Sequence, residues 1–202
     1  MNTPNKLTIL RILLIPIFLW FMYAEFFRNI YFGINLGFGE LIFDLALAIF
    51  VIASITDWLD GYLARKNKQI TTFGKFADPL ADKLLVAAAL VAFVDFGYIN
   101  GIIAIIVISR EFIVTGLRLV AISENRVIAA GFWGKIKTIL QIATIIAILL
   151  VNDPVTISAV ATDHSVFLIS LLVDWLAIIM TAVTVISGIE YVWKNRKLIK
   201  VD

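Results

Sequence analysis

Cysteine is absent from the chain, and histidine occurs once, at His164. The first absence excludes a disulfide framework, a thiolate metal site and a cysteine nucleophile. The second leaves a lone imidazole in a short polar stretch, read here as a surface residue rather than a ligand. Charge is scarce as well: Asp, Glu, Lys and Arg fill only 16% of the 202 positions, and the net charge is +2. Nucleic acid is therefore not an expected partner. Low-complexity tracts, internal repeats and long linkers are missing too, so residues 1–202 read as a single domain.

What fills the chain is apolar sequence, 61% of it, against about 45–50% in ordinary soluble domains. That surplus indicates an integral membrane protein. A helix needs roughly 20 apolar residues to cross a bilayer. Six such stretches are legible, at about 8–26, 38–63, 76–96, 98–121, 134–152 and 166–191. The expected fold is all-α, six transmembrane helices. The first stretch is too long for a signal peptide, carries Arg11 and Pro16, and lacks a small-residue cleavage site. Thr3-Pro4 resembles a helix start, so residues 3–15 are expected to begin as a short interfacial helix that turns inward at Pro16.

Charge asymmetry orients these spans. With both termini in the cytoplasm, every Lys and Arg except Arg28 falls on the inner half, the bias expected of cytoplasmic loops. Asp44 and Asp174 lie deeper from the outer side, where a packing or water contact accounts for them.

Against this apolar background one stretch stands out: Asp57-Trp-Leu-Asp60-Gly61-Tyr-Leu-Ala64-Arg65, and then Gly74-Lys-Phe-Ala-Asp78-Pro-Leu-Ala-Asp82. Ionisable residues beside a membrane span are functional-site hypotheses by default. Positions three or four apart share a helix face, about 5–6 Å between Cβ atoms. Asp57 and Asp60 meet that spacing, as do Asp78 and Asp82. If the connection between the segments lets them run antiparallel, the two pairs face one another. Gly61, Ala64 and Gly74 fall on the same acidic face, where small residues leave room for a bulky ligand. Gathered carboxylates suit hard cations such as Mg²⁺ or Mn²⁺, which keep positions free for substrate phosphates. The bland alternative is that these acids are solvated or paired with Lys66, Lys68, Lys75 and Lys83.

The stretch resembles the signature of the CDP-alcohol phosphotransferase family, with every spacing matched over residues 57–82. The resemblance implies two divalent cations, Mg²⁺ or Mn²⁺, held by Asp57, Asp60, Asp78 and Asp82, and a lipid donor bound through its cytidine diphosphate. It implies that Gly61, Ala64, Arg65 and Gly74 line that nucleotide. It makes Asp82, at the end of the signature, the general base. It also implies a homodimer.

A second constellation lies toward the inner end of the fourth span: Arg110-Glu111-Phe-Ile-Val-Thr115-Gly116-Leu-Arg118, followed after a turn by Lys135 and Lys137. Arginine inside a span is rare unless it pairs or binds an anion, and its fork suits phosphate. In one reading Arg110 pairs with an acid of the motif or with Glu111, and the lysines snorkel to headgroups. In the favoured one, Arg110, Arg118 and Lys135, with Lys137 less firmly, hold a phosphate on a second substrate. A metal-bound pyrophosphate needs no such extra pocket, whereas a phosphorylated acceptor does.

This stretch and Pro4-Asn5-Lys-Leu-Thr8-Ile-Leu-Arg11 resemble the family members whose acceptor is sn-glycerol 3-phosphate. The resemblance implies transfer of phosphatidyl from CDP-diacylglycerol to that acceptor, with release of CMP, in the bacterial cytoplasmic membrane among its lipids. It also brings Asn5, Thr8 and Arg11 to the border of the site. Within the family, serine lacks the phosphate that would explain the cations, inositol phosphate has one, and phosphatidylglycerol is a further option. Outside it, an intramembrane prenyltransferase would carry its acidic motifs on separate repeats in a longer chain. A cation transporter would hold its acids near the midplane between repeats.

Overall fold

The structure, a computed structural model, describes the backbone of residues 3–32, 43–56, 72–123, 131–151 and 164–196, and side chains within 9–24, 43–56, 83–121, 131–151, 168 and 171–196. Among the described residues there are six helices and no strand: α1 (Thr3–Phe32), α2 (Phe43–Thr56), α3 (Thr72–Asp95), α4 (Gly101–Ser123), α5 (Phe132–Val151) and α6 (His164–Lys194). The last four match the predicted stretches to within four residues at every end.

The expected break at Pro16 is not there. α1 is one helix of 30 residues with Pro16 inside it. Proline has no N–H for the carbonyl of Ile12 and usually kinks or ends a helix. Here Arg11 before it and Phe18 and Met22 after it are all buried. Packing on both sides of the proline outweighs the lost hydrogen bond, so no separate interfacial segment forms.

The tight connection from α3 to α4 is built by two local devices. Gly97 takes a positive φ of 74°, which costs a glycine little because it has no Cβ. The Tyr98 N–H then reaches the Phe93 carbonyl at 2.8 Å and the Gly97 N–H reaches that of Val94 at 3.1 Å, closing the end of α3. At the start of α4, Asn100 Oδ1 accepts from the Ile102 N–H at 2.9 Å, an N-cap.

A continuous core runs through the bundle, with Phe18, Phe50, Phe93, Val107, Ile148 and Met180 drawn from the six helices in turn. Small residues, among them Ala46, Ala53, Ala89 and Ala92, are fully buried between helices and allow close backbone approach. The hydroxyls of Thr56, Thr144 and Thr184 are satisfied within their own helices by the carbonyls of Ile52, Leu140 and Met180. That leaves few hydroxyl donors to be satisfied from outside the helix, as an apolar medium requires.

The outside is apolar too: Trp20, Ile105, Ile139, Leu172 and Trp175 are exposed large side chains drawn from four helices. Apolar surface on that scale needs a lipid-like environment. Two helical stretches, Phe132–Val151 and Leu171–Lys194, are long and apolar enough to cross a membrane, and Ile9–Ala24 and Phe43–Thr56 are shorter apolar stretches. The chain is a membrane protein. Asp44 and Asp174 are both exposed, so neither is packed in the interior of the bundle.

Successive helices alternate in direction. One cavity is lined by Arg11 in the first third of α1, Ser54 near the end of α2, Lys83 and Glu111 at the middles of α3 and α4, and Lys137 in the first half of α5. Farther along α1 and α3, Tyr23 hydrogen-bonds to Asp95, tying the two helices together. α6 packs on α4 and α5, while α3 touches α1, α4 and α5.

Candidate active site

α3 carries Gly74, Asp78 and Asp82 in continuous helix, so these three positions, four apart, share a face; their side chains lie outside the described ones. Asp57, Asp60, Gly61, Ala64 and Arg65 fall outside the described residues altogether, and so no ligand cluster can be traced through them. Among the described residues there is no group of three or more side chains of the His, Cys, Asp or Glu type that could hold a metal ion.

The described residues that flank the motif do converge. Ser54, three before Asp57, and Lys83, immediately after Asp82, line the same cavity of about 30 Å³. Arg11, Glu111, Lys137 and Gln141 complete its polar wall. Arg11, Glu111, Lys137 and Gln141 are themselves buried. Three cations and one carboxylate, each from a different helix, therefore surround a small space, with Ser54 of α2 on its wall. Asn5 and Thr8 precede Arg11 by about two turns and one turn of α1 respectively; their side chains are not described.

Glu111 is the hub of this arrangement. Its Oε2 lies 3.1 Å from Lys83 Nζ, and its Oε1 lies 3.2 Å from Arg110 Nη1 and also pairs with the Lys137 ammonium. A buried carboxylate without partners would be strongly disfavoured, and so would a buried ammonium. Here each satisfies the other. Lys137 is not a snorkelling side chain: its ammonium points inward to Glu111, across from α5 to α4.

Arg110 also faces a second cavity of about 130 Å³, whose polar lining includes Arg118, Ser187, Glu190, Tyr191 and Asn195. Arg110 donates from Nη2 to Ser187 Oγ at 2.6 Å. The Arg118 guanidinium lies 5.8 Å from the centre of the Tyr191 ring, within cation–π range. Gly134 lines the same space, whereas its neighbour Lys135 is exposed at the start of α5 and does not.

The four cations expected to act together are thus divided. Arg110 and Arg118 share one cavity, Lys137 belongs to the other, and Lys135 stands at the surface. The Arg110–Glu111 pair connects the two spaces. The sequence pattern marked Glu111 as a possible partner for Arg110 and Lys83 as a possible partner for the motif acids, and gave no sign of Ser187. The available signal was an acid embedded among cations within a span, but its partners lie 28, 26 and 1 positions away, and nothing local points to the first two.

The chain is similar to known proteins over nearly its whole length. The family model described as CDP-alcohol phosphatidyltransferase matches residues 1–187. A Bacillus subtilis (strain 168) protein named CDP-diacylglycerol--glycerol-3-phosphate 3-phosphatidyltransferase is 46% identical over 201 residues, 98% of this chain and 97% of its own length. A Yersinia enterocolitica protein of the same name is 32% identical over 199 residues, covering 96% of this chain and 97% of its own. One from Haemophilus influenzae is 44% identical over 144 residues, 69% of this chain and 71% of its own.

Proposed function

The chain belongs to the CDP-alcohol phosphatidyltransferase family, and from that membership we infer that it transfers phosphatidyl from CDP-diacylglycerol to sn-glycerol 3-phosphate, giving phosphatidylglycerophosphate and CMP. The observation that carries this reading is the nearly full-length likeness to relatives named for that transfer. Chemical support comes from Arg110 and Arg118 lining one cavity, with Arg110 paired to Glu111, which also reaches Lys83 next to the signature in sequence. An acceptor with its own phosphate has use for them.

Asp57, Asp60, Asp78 and Asp82 are the residues we assign to two divalent cations, Mg²⁺ or Mn²⁺. An all-carboxylate donor set fits hard cations, and the helical register of α3 keeps Asp78 and Asp82 one turn apart. When bound, such ions neutralise a pyrophosphate and polarise its phosphorus. Gly61, Ala64 and Gly74 leave space for the cytidine nucleotide, and Arg65 contacts its phosphate. Asp82 takes the proton of the acceptor's 1-hydroxyl. That oxygen bonds to the phosphorus carrying diacylglycerol, the bond from this phosphorus to the bridging oxygen breaks, and CMP leaves with the electron pair. Arg110 and Arg118 orient the acceptor through its phosphate by charge-assisted hydrogen bonds. Lys135 stands at the rim, and Lys137 acts through Glu111. Asn5, Thr8 and Arg11 border the site from α1.

The same reading makes the chain a single six-pass domain of the bacterial cytoplasmic membrane, with both termini and the active site at the cytoplasmic face. The alternating helices and the bias of Lys and Arg to one side of the predicted spans support it. A lipid donor and a water-soluble acceptor then meet where bilayer and cytoplasm join.

The test is CMP release from labelled CDP-diacylglycerol by the purified protein, with glycerol 3-phosphate, inositol phosphate, serine and phosphatidylglycerol supplied in turn. Glycerol 3-phosphate should give the highest kcat/KM by a wide margin. Preference for any other acceptor overturns the assignment.

A further inference from the structure

Ser187 and Gly188 lie inside α6, a 31-residue helix otherwise dominated by Ile, Leu, Val and Ala. Both are weaker helix formers than alanine, and Ser187 is buried. Neither the acidic signature nor the second constellation of the sequence includes them. Their neighbourhood explains their presence. Ser187 Oγ accepts from Arg110 Nη2 at 2.6 Å, while Glu111 Oε1 accepts from Nη1 of the same guanidinium at 3.2 Å. A Cβ added to Gly188 would stand 3.0 Å from Arg110 Cγ, tighter than ordinary van der Waals contact.

We propose that Ser187 and Gly188 are positioning residues for the acceptor: α6 holds the Arg110 guanidinium through the serine and admits its aliphatic stem through the glycine. The inference rests on the reading of Arg110 as a contact of the acceptor phosphate. With one Nη on Ser187 and the other on Glu111, the plane of the guanidinium is fixed across two helices. Its Nε–H is buried and has no hydrogen-bond acceptor among the described residues. The arginine is thus anchored before substrate arrives, with a donor left over. An arginine so anchored loses little freedom when it takes up a phosphate, which is how preorganisation strengthens binding. Because its far end is held, Arg110 cannot swing away to relieve a methyl group at position 188.

The test compares Ser187→Ala, Gly188→Ala, Arg110→Ala and the Ser187→Ala/Arg110→Ala double variant in the full-length protein. KM and kcat are measured for glycerol 3-phosphate and for CDP-diacylglycerol, alongside thermal unfolding. Each single α6 variant should lower kcat/KM for glycerol 3-phosphate by about two- to tenfold, the scale of one net hydrogen bond. KM for CDP-diacylglycerol should not move. Gly188→Ala should lower Tm modestly, because the held stem of Arg110 must give by a few tenths of an ångström, so the split between the two substrates, and not Tm, separates positioning from a merely structural role. The double variant should be no worse than Arg110→Ala alone.

Three results overturn the proposal: no effect of Ser187→Ala and Gly188→Ala, equal effects on both substrates, or losses in the double variant that simply add. If Arg110→Ala itself leaves KM for glycerol 3-phosphate at the wild-type value, the acceptor role of Arg110 falls and this proposal with it. A large effect of Arg110→Ala without any effect of the α6 variants removes the positioning role alone.

Discussion

The two halves of the candidate site are assembled in opposite ways. On the donor side, four carboxylates and four companion positions lie within residues 57–82, close enough that helix register alone groups Asp78 with Asp82 and Gly74. On the acceptor side, the groups come from three helices, and the pair Arg110–Ser187 is separated by 77 positions. The first half is a local device that any copy of the stretch would carry. The second exists only once α4, α5 and α6 are packed. Glu111 joins them, touching Lys83 beside the signature and Arg110 at the acceptor cavity.

Removal of metal should break the donor half completely. Excess chelator is expected to abolish CMP release and added Mg²⁺ or Mn²⁺ to restore it, with Asp57→Ala equally damaging. Full turnover in chelator would show that the acids serve some other purpose.

Asp82→Asn keeps the shape of the side chain and removes most of its basicity. It should reduce kcat by about 10²–10⁴-fold, the scale of general-base catalysis, while CDP-diacylglycerol still binds. Loss of donor binding along with turnover would make Asp82 a ligand first.

Glu111→Ala strikes the junction rather than either half. It leaves Lys137 buried without its counter-charge, and breaking such a pair costs about 3–5 kcal/mol. Thermal unfolding in detergent should show a markedly lower Tm, and any residual activity should be impaired toward both substrates. A stable Glu111→Ala protein affected only in its acceptor KM would move Glu111 wholly to the acceptor side.

Arg118→Ala should touch the acceptor half alone. Loss of a charged hydrogen bond of about 1.5–3 kcal/mol predicts a roughly ten- to hundredfold fall in kcat/KM for glycerol 3-phosphate, with KM for the donor little changed. Lys135→Ala should act in the same direction but less, because its exposed charge is screened by water. If Lys135→Ala proves the more damaging, the lysine reaches the phosphate and the order of the two is reversed.

The helices themselves were largely readable in advance. Long apolar runs such as 134–152 and 166–191 can be little other than helices in a bilayer, where each backbone N–H must find its carbonyl within the segment. Their ends were less legible, as α1 illustrates. Pro16 is a strong local signal for a break, yet Arg11, Phe18 and Met22 are buried on either side of it, and that burial depends on α2 and α3. Lys137 carries the same lesson. A lysine near a helix start reads either as a headgroup contact or as a phosphate ligand, and only the approach of Glu111 from α4 turns it inward to a carboxylate.

What the sequence by itself determined is therefore whatever depends on spacing along one segment: apolar length, the bias of Lys and Arg to one side, and the three- and four-residue steps of the acidic signature. Covalent connection and helix geometry hold those relations wherever the helix goes. What only the tertiary structure decided is which charges neutralise one another. Lys83, Arg110 and Lys137 converge on Glu111, and Arg110 is held by Ser187, because the packing of apolar faces sets where the helices meet. Only then can a buried charge find the counter-charge that burial requires.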